Sequence, residues 1–268
     1  MNTSALARDY RDAYDEQIRT RIVDGDAVAG TVEKAGPAFR MIDQTGRGAI
    51  VYRDLAGLQG AELDRFIEDQ CAFFDRLGKE AEWKHHGHDL PADLPARLTA
   101  AGLVSQPAET IMIGTARQQA ESPRPPKGVR LREVAERADL ERIQDLEERV
   151  WGTDHRWLPD ALERALGGVG DPTTVVVAET TTEVVCAAWA VFHEGTDFVS
   201  LWGGSTLPEW RGRGIYRACV AFRATQAAER EFRYLQVDAS AASKPILTHL
   251  GLLPVTTTTP YLWTPRAA

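Results

Sequence analysis

Apolar residues recur along the chain with two periods, and these periods divide it into helices and strands. In ALARDYRDAYDEQIRTRI (5–22), Leu6, Tyr10, Tyr14, Ile18 and Ile22 fall on one stripe, which predicts an amphipathic helix. In AELDRFIEDQCAFFDRL (61–77), Leu63, Phe66, Ile67, Cys71, Phe74 and Leu77 align in the same way, and Gly78 ends the run. Between them, AFRMIDQTGRGAIVYRDL (38–55) predicts a hairpin turning around Thr45–Gly48.

The second half is a longer alternation. GVRLREV (128–134) predicts a strand, followed by helices DLERIQDLEERVW (139–151) and LPDALERAL (158–166), the latter stopped by Gly167 and Gly168. In the first of these helices Leu140, Ile143, Leu146 and Val150 make the apolar face. TTVVVAE (173–179), EVVCAAWAVF (183–192) and DFVSLWGGST (197–206) predict three strands rich in β-branched residues. A helix to about Glu229, the strand RYLQVDA (233–239), the short helix SKPILTHLG (243–251) and a final strand or bent pair PVTTTTPYLW (254–263) complete the chain.

ESPRPPKG (121–128) holds three prolines and a glycine and cannot continue a helix. It is the expected linker between residues 1–120 and residues 129–268. Residues 82–113 and 234–263 run in the same order: strand, short helix with a proline near its start, a glycine flanked by apolar residues as stop, strand. This echo suggests two copies of one half-fold.

Composition narrows the classes. The chain has 268 residues, 43% of them hydrophobic and 26% charged, enough for a packed core in one large or two modest domains. A formal net charge of -8 disfavours a nucleic-acid surface and weakly suits a cationic partner such as an amine. The three cysteines, Cys71, Cys186 and Cys219, each sit in an apolar run and are expected to be reduced core thiols of a cytoplasmic protein. No apolar run has the length of a membrane span, and the first residues are too charged for a signal peptide.

Against that acidic background, PEWRGRGIYRACV (208–220) concentrates arginine and glycine before an apolar-periodic run. Gly212 and Gly214 let the backbone turn tightly and approach a ligand. The helix that follows offers unpaired N–H groups at its start, which together with its dipole attract an anion. Arg211, Arg213 and Arg217 add charge at the same point. Each charge-assisted hydrogen bond contributes about 1.5–3 kcal/mol, and a pyrophosphate is the natural guest.

The run Arg211-Gly212-Arg213-Gly214-Ile215-Tyr216 resembles the acyl-coenzyme A pyrophosphate loop of the GNAT superfamily of N-acetyltransferases, whose pattern is Gln/Arg-x-x-Gly-x-Gly/Ala. Arg211 and Gly214 match. Tyr216 departs at the last position, where it needs room beside the phosphates or covers part of the cofactor. The resemblance covers about residues 128–264 and includes the element order. It implies a GNAT-like α/β fold, with a mixed, mostly antiparallel sheet flanked by helices and a smaller, related, incomplete α/β N-terminal domain without a phosphate loop. It implies acetyl-CoA or another acyl-CoA as co-substrate, with the pyrophosphate held by amides from Arg213 to Arg217. The pantetheine arm would lie along Gly204, Ser205 and Thr206, where Gly203-Gly204 suits a bulge that bares an amide for the acyl carbonyl. Asp238 is expected to hydrogen-bond the cofactor arm or to cap the next helix.

The implied reaction is N-acyl transfer to a primary amine, of a small molecule in the first place and of a protein as a further class. The family's tyrosine acid falls on Leu247 here, and Ser243, Thr248 and His249 are the nearby substitutes. His249 has the better titration range. WGTDHRW (151–157) offers Asp154 and His155 to bind or deprotonate an amine, with Trp151 and Trp157 as walls. Asp197 and Ser200 are further candidates. A capped loop and a surface histidine are the plain alternatives for these positions. The alternative function is a non-catalytic acyl-CoA-binding regulatory module.

No metal site is expected. In KHHGHD (84–89), His86 and His88 share one strand face and His85 takes the other, so a polar strand end is favoured. QTGRG (44–48) imitates a phosphate loop, but a strand follows it, and TTTT (256–259) suits a strand. The acceptor, the acyl chain length and the oligomeric state are left open.

Overall fold

The computed structural model describes residues 3–21, 29–43, 46–120 and 124–265. Ile22, Thr45 and the first three residues of the expected linker (121–123) lie outside the described residues. The chain forms two compact units: Met1–Met112 with Asp238–Lys244 and Pro254–Ala268, and Ile113–Val237 with Pro245–Leu253.

The first unit contains α1 (Thr3–Gln17), β1 (Ala29–Ala35), β2 (Ala38–Asp43), β3 (Gly48–Tyr52), α2 (Gly60–Arg76), β4 (Ala81–His86), α3 (Leu94–Ala100) and β5 (Val104–Ser105). β6 (Glu109–Thr115) begins in it and ends in the second unit. The second unit continues with α4 (Ala116–Gln119), β7 (Arg130–Val134), α5 (Arg137–Trp151), α6 (Leu158–Leu166), β8 (Thr173–Glu179), β9 (Val184–Phe192) and β10 (Phe198–Thr206). It closes with α7 (Ile215–Glu229), most of β11 (Tyr234–Ala239) and α8 (Lys244–His249), while β12 (Leu253–Trp263) lies almost wholly in the first unit.

In the first unit the strands run in the order β1-β2-β3-β4-β12, with β5 on the other side of β12. All pairings are antiparallel except β3 with β4. The alternating burial of β3 places Gly48, Ile50 and Tyr52 inward. They meet Leu63, Ile67 and Phe74 of α2 and Trp83 of β4 in one apolar cluster. In the second unit the order is β7-β8-β9-β10-β11. Only the β10–β11 pairing is parallel. The near-continuous apolar runs of β8 and β9 are explained by cover from Leu140, Ile143 and Leu146 of α5, Leu158 and Leu162 of α6, and Ile215 and Cys219 of α7. Both units are thus mixed, mostly antiparallel sheets flanked by helices, and the expected element order of residues 128–264 is present.

The echoed half-folds end their helices alike. LTAAGL (98–103) and LTHLGL (247–252) both close in a left-handed glycine, Gly102 at φ 100° and Gly251 at φ 89°. In the first, the N–H groups of Leu103 and Gly102 reach back to the carbonyls of Leu98 and Thr99. In the second, Leu252 and Gly251 reach back to Leu247 and Thr248, the same two-bond cap. Leu98 and Leu247 are both fully buried.

Some expectations need correction. α1 stops at Gln17, because the turn that follows carries Arg19 inward to an ion pair with Asp89, both side chains 3% exposed. β1, β5 and α4 carry no clear period and were not predicted. β4 ends at His86, so His88 lies in the following turn, where its ring nitrogens contact Asp15 (2.8 Å) and Thr256 (2.8 Å). Among the described residues no group of His, Cys, Asp and Glu is arranged to hold a metal ion. The three cysteines are buried, and no disulfide joins them. No helix among the described residues is long and apolar enough to cross a membrane.

Candidate functional site

β10 is the centre of the site. On one side it pairs with β9 along most of its length, but on the other its register with β11 covers only Phe198–Ser200 against Tyr234–Gln236. The strand therefore departs from its parallel neighbour beyond Ser200. At the same level its register with β9 slips between Gly203 and Ser205, so Gly204 is an extra residue in a bulge. Gly203 (φ 67°) and Gly204 (φ 83°) both take left-handed backbone, which side-chain-bearing residues rarely adopt. A Cβ on Gly203 would stand 2.6 Å from Trp189 Cζ3, and one on Gly204 would stand 2.4 Å from Tyr216 Cε2. Tyr216 finds its room over the bare Cα of Gly204.

A bulge leaves ladder groups to be satisfied elsewhere. Arg223 of α7, 1% exposed, does this from inside the core. It donates to the carbonyls of Trp189 and Trp202 (2.9 Å each) and of Cys219 (3.0 Å). Burial lowers its pKa, yet an arginine keeps its charge at any physiological pH.

The chain then turns through Pro208–Trp210 to the arginine-glycine loop. Arg211 Nε donates to the Thr206 carbonyl at 3.0 Å and ties the loop to the end of β10. The Arg213 guanidinium lies 4.7 Å from the centre of the Trp210 ring. Gly214, at φ 81°, is the N-cap of α7 and supplies no side-chain cap to its first turn. Arg211, Gly212, Arg213 and Arg217 are exposed, and Ile215 is buried as the first residue of the helix. Open N–H groups at a helix start with guanidinium groups around them form an anion cradle. Nothing would lie within 4 Å of a Cβ on Gly212.

The structure separates the remaining candidates. Asp154 is exposed, and hydrogen bonds from the Arg156 side chain and backbone hold its carboxyl at a pKa of about 2. His155 stacks on Trp157, its Nδ1 is 2.9 Å from the Thr153 carbonyl, and its N–H donates to Glu148. Ser200 is 3% exposed, between His193 Nε2 (2.8 Å) and the Gln236 side chain (2.7 Å), and Asp171 holds the other ring nitrogen of His193. That chain is an interior one. His249 is exposed at the last residue of α8, and Asp197 accepts the N–H groups of Arg233 and Tyr234 at its carbonyl. Asp238 forms an ion pair with Lys84 within the first unit. Trp151 and Trp157 are 60% and 57% exposed. Thr206 and Ser205 are buried at the end of β10.

The sequence reading missed Glu147. Its side chain turns into the core from α5 and Oε2 accepts from Ser205 Oγ (2.7 Å) and Trp151 Nε1 (2.8 Å), while Oε1 is buried without a partner. Burial pushes its carboxyl above the usual range, opposed by those two hydrogen bonds and by His155. Spacing was the available signal: Glu147 falls four residues after Ile143, on the buried stripe. Arg223, four residues after Cys219, carries the same signal on α7.

The first unit holds a cleft of about 660 Å³ between the end of α1, the exit of β3 and residues 88–92. Arg19 and Tyr52 both donate to the Asp89 carboxylate along its wall.

No family profile and no curated protein matches the sequence. Solved structures do match it. A GCN5-related N-acetyltransferase from Kribbella flavida superposes with a TM-score of 0.65 at 16% identity, over 99% of this chain and 96% of that one. A tandem GNAT protein from the clavulanic acid biosynthesis pathway gives 0.62 at 13% identity, over 86% and 80%. A GCN5-related N-acetyltransferase from Sphaerobacter thermophilus gives 0.58 at 16% identity, over 87% and 82%. The chain has the GNAT fold.

Proposed function

We propose that this protein is an N-acyltransferase that moves an acetyl or other short acyl group from acyl-CoA to a primary amine. One arrangement carries the proposal: β10 leaves β11, bulges at two left-handed glycines, and leads directly to an uncapped, arginine-ringed helix start. The amides from Arg213 to Arg217 and the guanidinium groups of Arg213 and Arg217 suit a pyrophosphate. The opening beside β10 suits an extended arm, since its amides there lie outside the short register with β11. The GNAT fold and the names of its structural neighbours support the same chemistry.

When bound, acyl-CoA supplies an activated acyl group as a thioester. The chain's own residues orient it and provide backbone N–H groups at the bulge for its carbonyl oxygen. The acceptor must arrive without its proton, because an alkylamine with a pKa of about 10.4 is almost wholly protonated at neutral pH. A small amine fits the exposed tryptophans after α5, and a protein amino group is the wider acceptor class.

Leu247, fully buried, stands where a proton donor to the thiolate would be expected. It favours a second function, a non-catalytic acyl-CoA-binding module. A thiol of pKa near 8.5 also leaves without an acid, so loss of the donor is compatible with turnover. Titration with acetyl-CoA by calorimetry, followed by thiol release with a panel of amines, separates the two. Binding with release supports the enzyme, binding without release across the panel supports the module, and no binding overturns both.

A further inference from the structure

We propose that Ser205 and Glu147 form a proton relay which takes the ammonium proton of the acceptor amine beside the β10 bulge. This inference rests on the acyltransferase function proposed above.

Two buried glutamates of the second unit give the contrast that carries it. Glu179, 3% exposed, is clasped by Arg130, Arg132 and Arg142, as a carboxylate kept for structure should be. Glu147, 4% exposed, makes no ion pair among the described residues. Its hydrogen-bond partners there, Ser205 and Trp151, are neutral, and Oε1 is left with none. Burying a carboxylate without a cation is costly, and a leucine or glutamine would fill the helix face at lower cost. A buried acid that lacks a counter-charge and is bonded to a hydroxyl next to the bulge is arranged to gain a proton.

The residue it touches is the other half of the relay. Ser205 follows Gly204 in the bulge and donates its hydroxyl hydrogen to Glu147. When an ammonium N–H gives its proton to Ser205 Oγ, the serine hydrogen passes to Glu147 Oε2. The serine remains a neutral hydroxyl, the carboxylate becomes a carboxylic acid, and the amine keeps a free electron pair for the acyl carbon. After the new C–N bond forms and the C–S bond breaks, the second amine proton leaves with the thiolate as CoA thiol. One positive and one negative charge disappear in the first transfer, which a buried site without an ion pair favours. Trp151 shares its N–H between Glu147 Oε2 (2.8 Å) and Ser205 Oγ (3.0 Å) and cannot itself accept a proton. The titratable groups that face Glu147 from other elements are His155, from the loop after α5, and Cys186 of β9.

The test is the pH profile of kcat/KM for an amine that the wild-type protein acetylates, measured with calorimetric titration of acetyl-CoA on the same preparations. Glu147→Gln is expected to bind acetyl-CoA within about twofold of wild type, to lose about 10²-fold or more in kcat, and to lose the acid limb assigned to Glu147. Ser205→Ala is expected to lose at least about tenfold, with Ser205→Thr restoring most of it. A folded Glu147→Gln protein with wild-type turnover and an unchanged profile overturns the relay and leaves the enzyme standing. Wild-type protein that binds acetyl-CoA and acetylates no amine overturns both. If Glu147→Gln does not fold, the serine pair decides: equal activity of the alanine and threonine variants rejects the relay.

Discussion

The ring of Tyr216 lies against the bare Cα of Gly204, so close that a Cβ there would stand 2.4 Å from Cε2. The pair accounts for the departure of this loop from the small residue of the family pattern. A glycine in the strand makes space for a large residue in the helix. Gly204→Ala must meet both the ring and a φ of 83°, and a loss of about 1–3 kcal/mol is expected. Adding Tyr216→Ala removes the ring and leaves only the backbone term. Urea unfolding of both single variants and the double is expected to give a coupling of at least about 0.5 kcal/mol. Additive losses would mean that the two residues do not share one space.

Arg223 predicts a second stability effect. It is a buried cation that satisfies three carbonyls, of Trp189, Trp202 and Cys219. Arg223→Met keeps much of the volume and removes every donor. Each carbonyl left unpaired costs about 1–3 kcal/mol in principle, and losing the desolvated charge offsets part of this. A net loss of about 2–4 kcal/mol is expected in urea unfolding. A stability equal to wild type would show that water or a shifted backbone replaces the arginine.

These two residues also show where sequence and structure part. The element order from Arg130 to Trp263 was legible because β-branched runs and apolar stripes are strong, and Gly214 was legible because a tight turn into a helix favours glycine, here at φ 81°. The glycine pair at 203–204 pointed correctly to a bulge. Partners distant in sequence were not legible. Nothing in the order of residues joins Asp238 to Lys84, or Ser200 to His193 and Asp171. The tie of Asp154 to Arg156 depends on loop geometry rather than on periodicity. Glu147 stands among many charges in its helix, and its place on the apolar stripe buries it.

The anion cradle predicts a dependence on charge. Arg213 and Arg217 are exposed beside the uncapped start of α7, whereas Arg211 is committed to the Thr206 carbonyl. Arg213→Gln and Arg217→Gln are each expected to weaken CoA binding about tenfold, about 1.4 kcal/mol, and the loss should shrink as salt rises. Arg211→Gln is expected to lower stability as well as affinity, because it frees the loop from β10. Calorimetric titration with CoA and with dephosphorylated pantetheine completes the test. The arginine variants should leave pantetheine binding unchanged. An equal loss for both ligands would remove the pyrophosphate from the cradle.

Stability should depend on pH in two opposed ways. Hydrogen bonds from Arg132 hold the carboxyls of Asp139 and Glu179 below their usual range. A depressed carboxyl contributes stability that is complete above its unfolded pKa, near 4, and is lost as pH falls through the lower folded value. The protein should therefore weaken progressively in acid from about pH 5 downward, and Glu179→Gln should flatten that fall while costing about 1–3 kcal/mol at neutral pH. Glu147 has the contrary sign. Burial raises its carboxyl, so its contribution is complete below the unfolded pKa and is lost as pH rises through the raised folded value. Glutamine at this position carries no charge at any pH, and Glu147→Gln should be more stable than wild type at pH 7–8 while losing activity. Urea unfolding across pH 3–8 measures both slopes. If Glu147→Gln is the less stable protein at pH 8, the buried carboxylate has a counter-charge, and its freedom to take a proton is lost with that result.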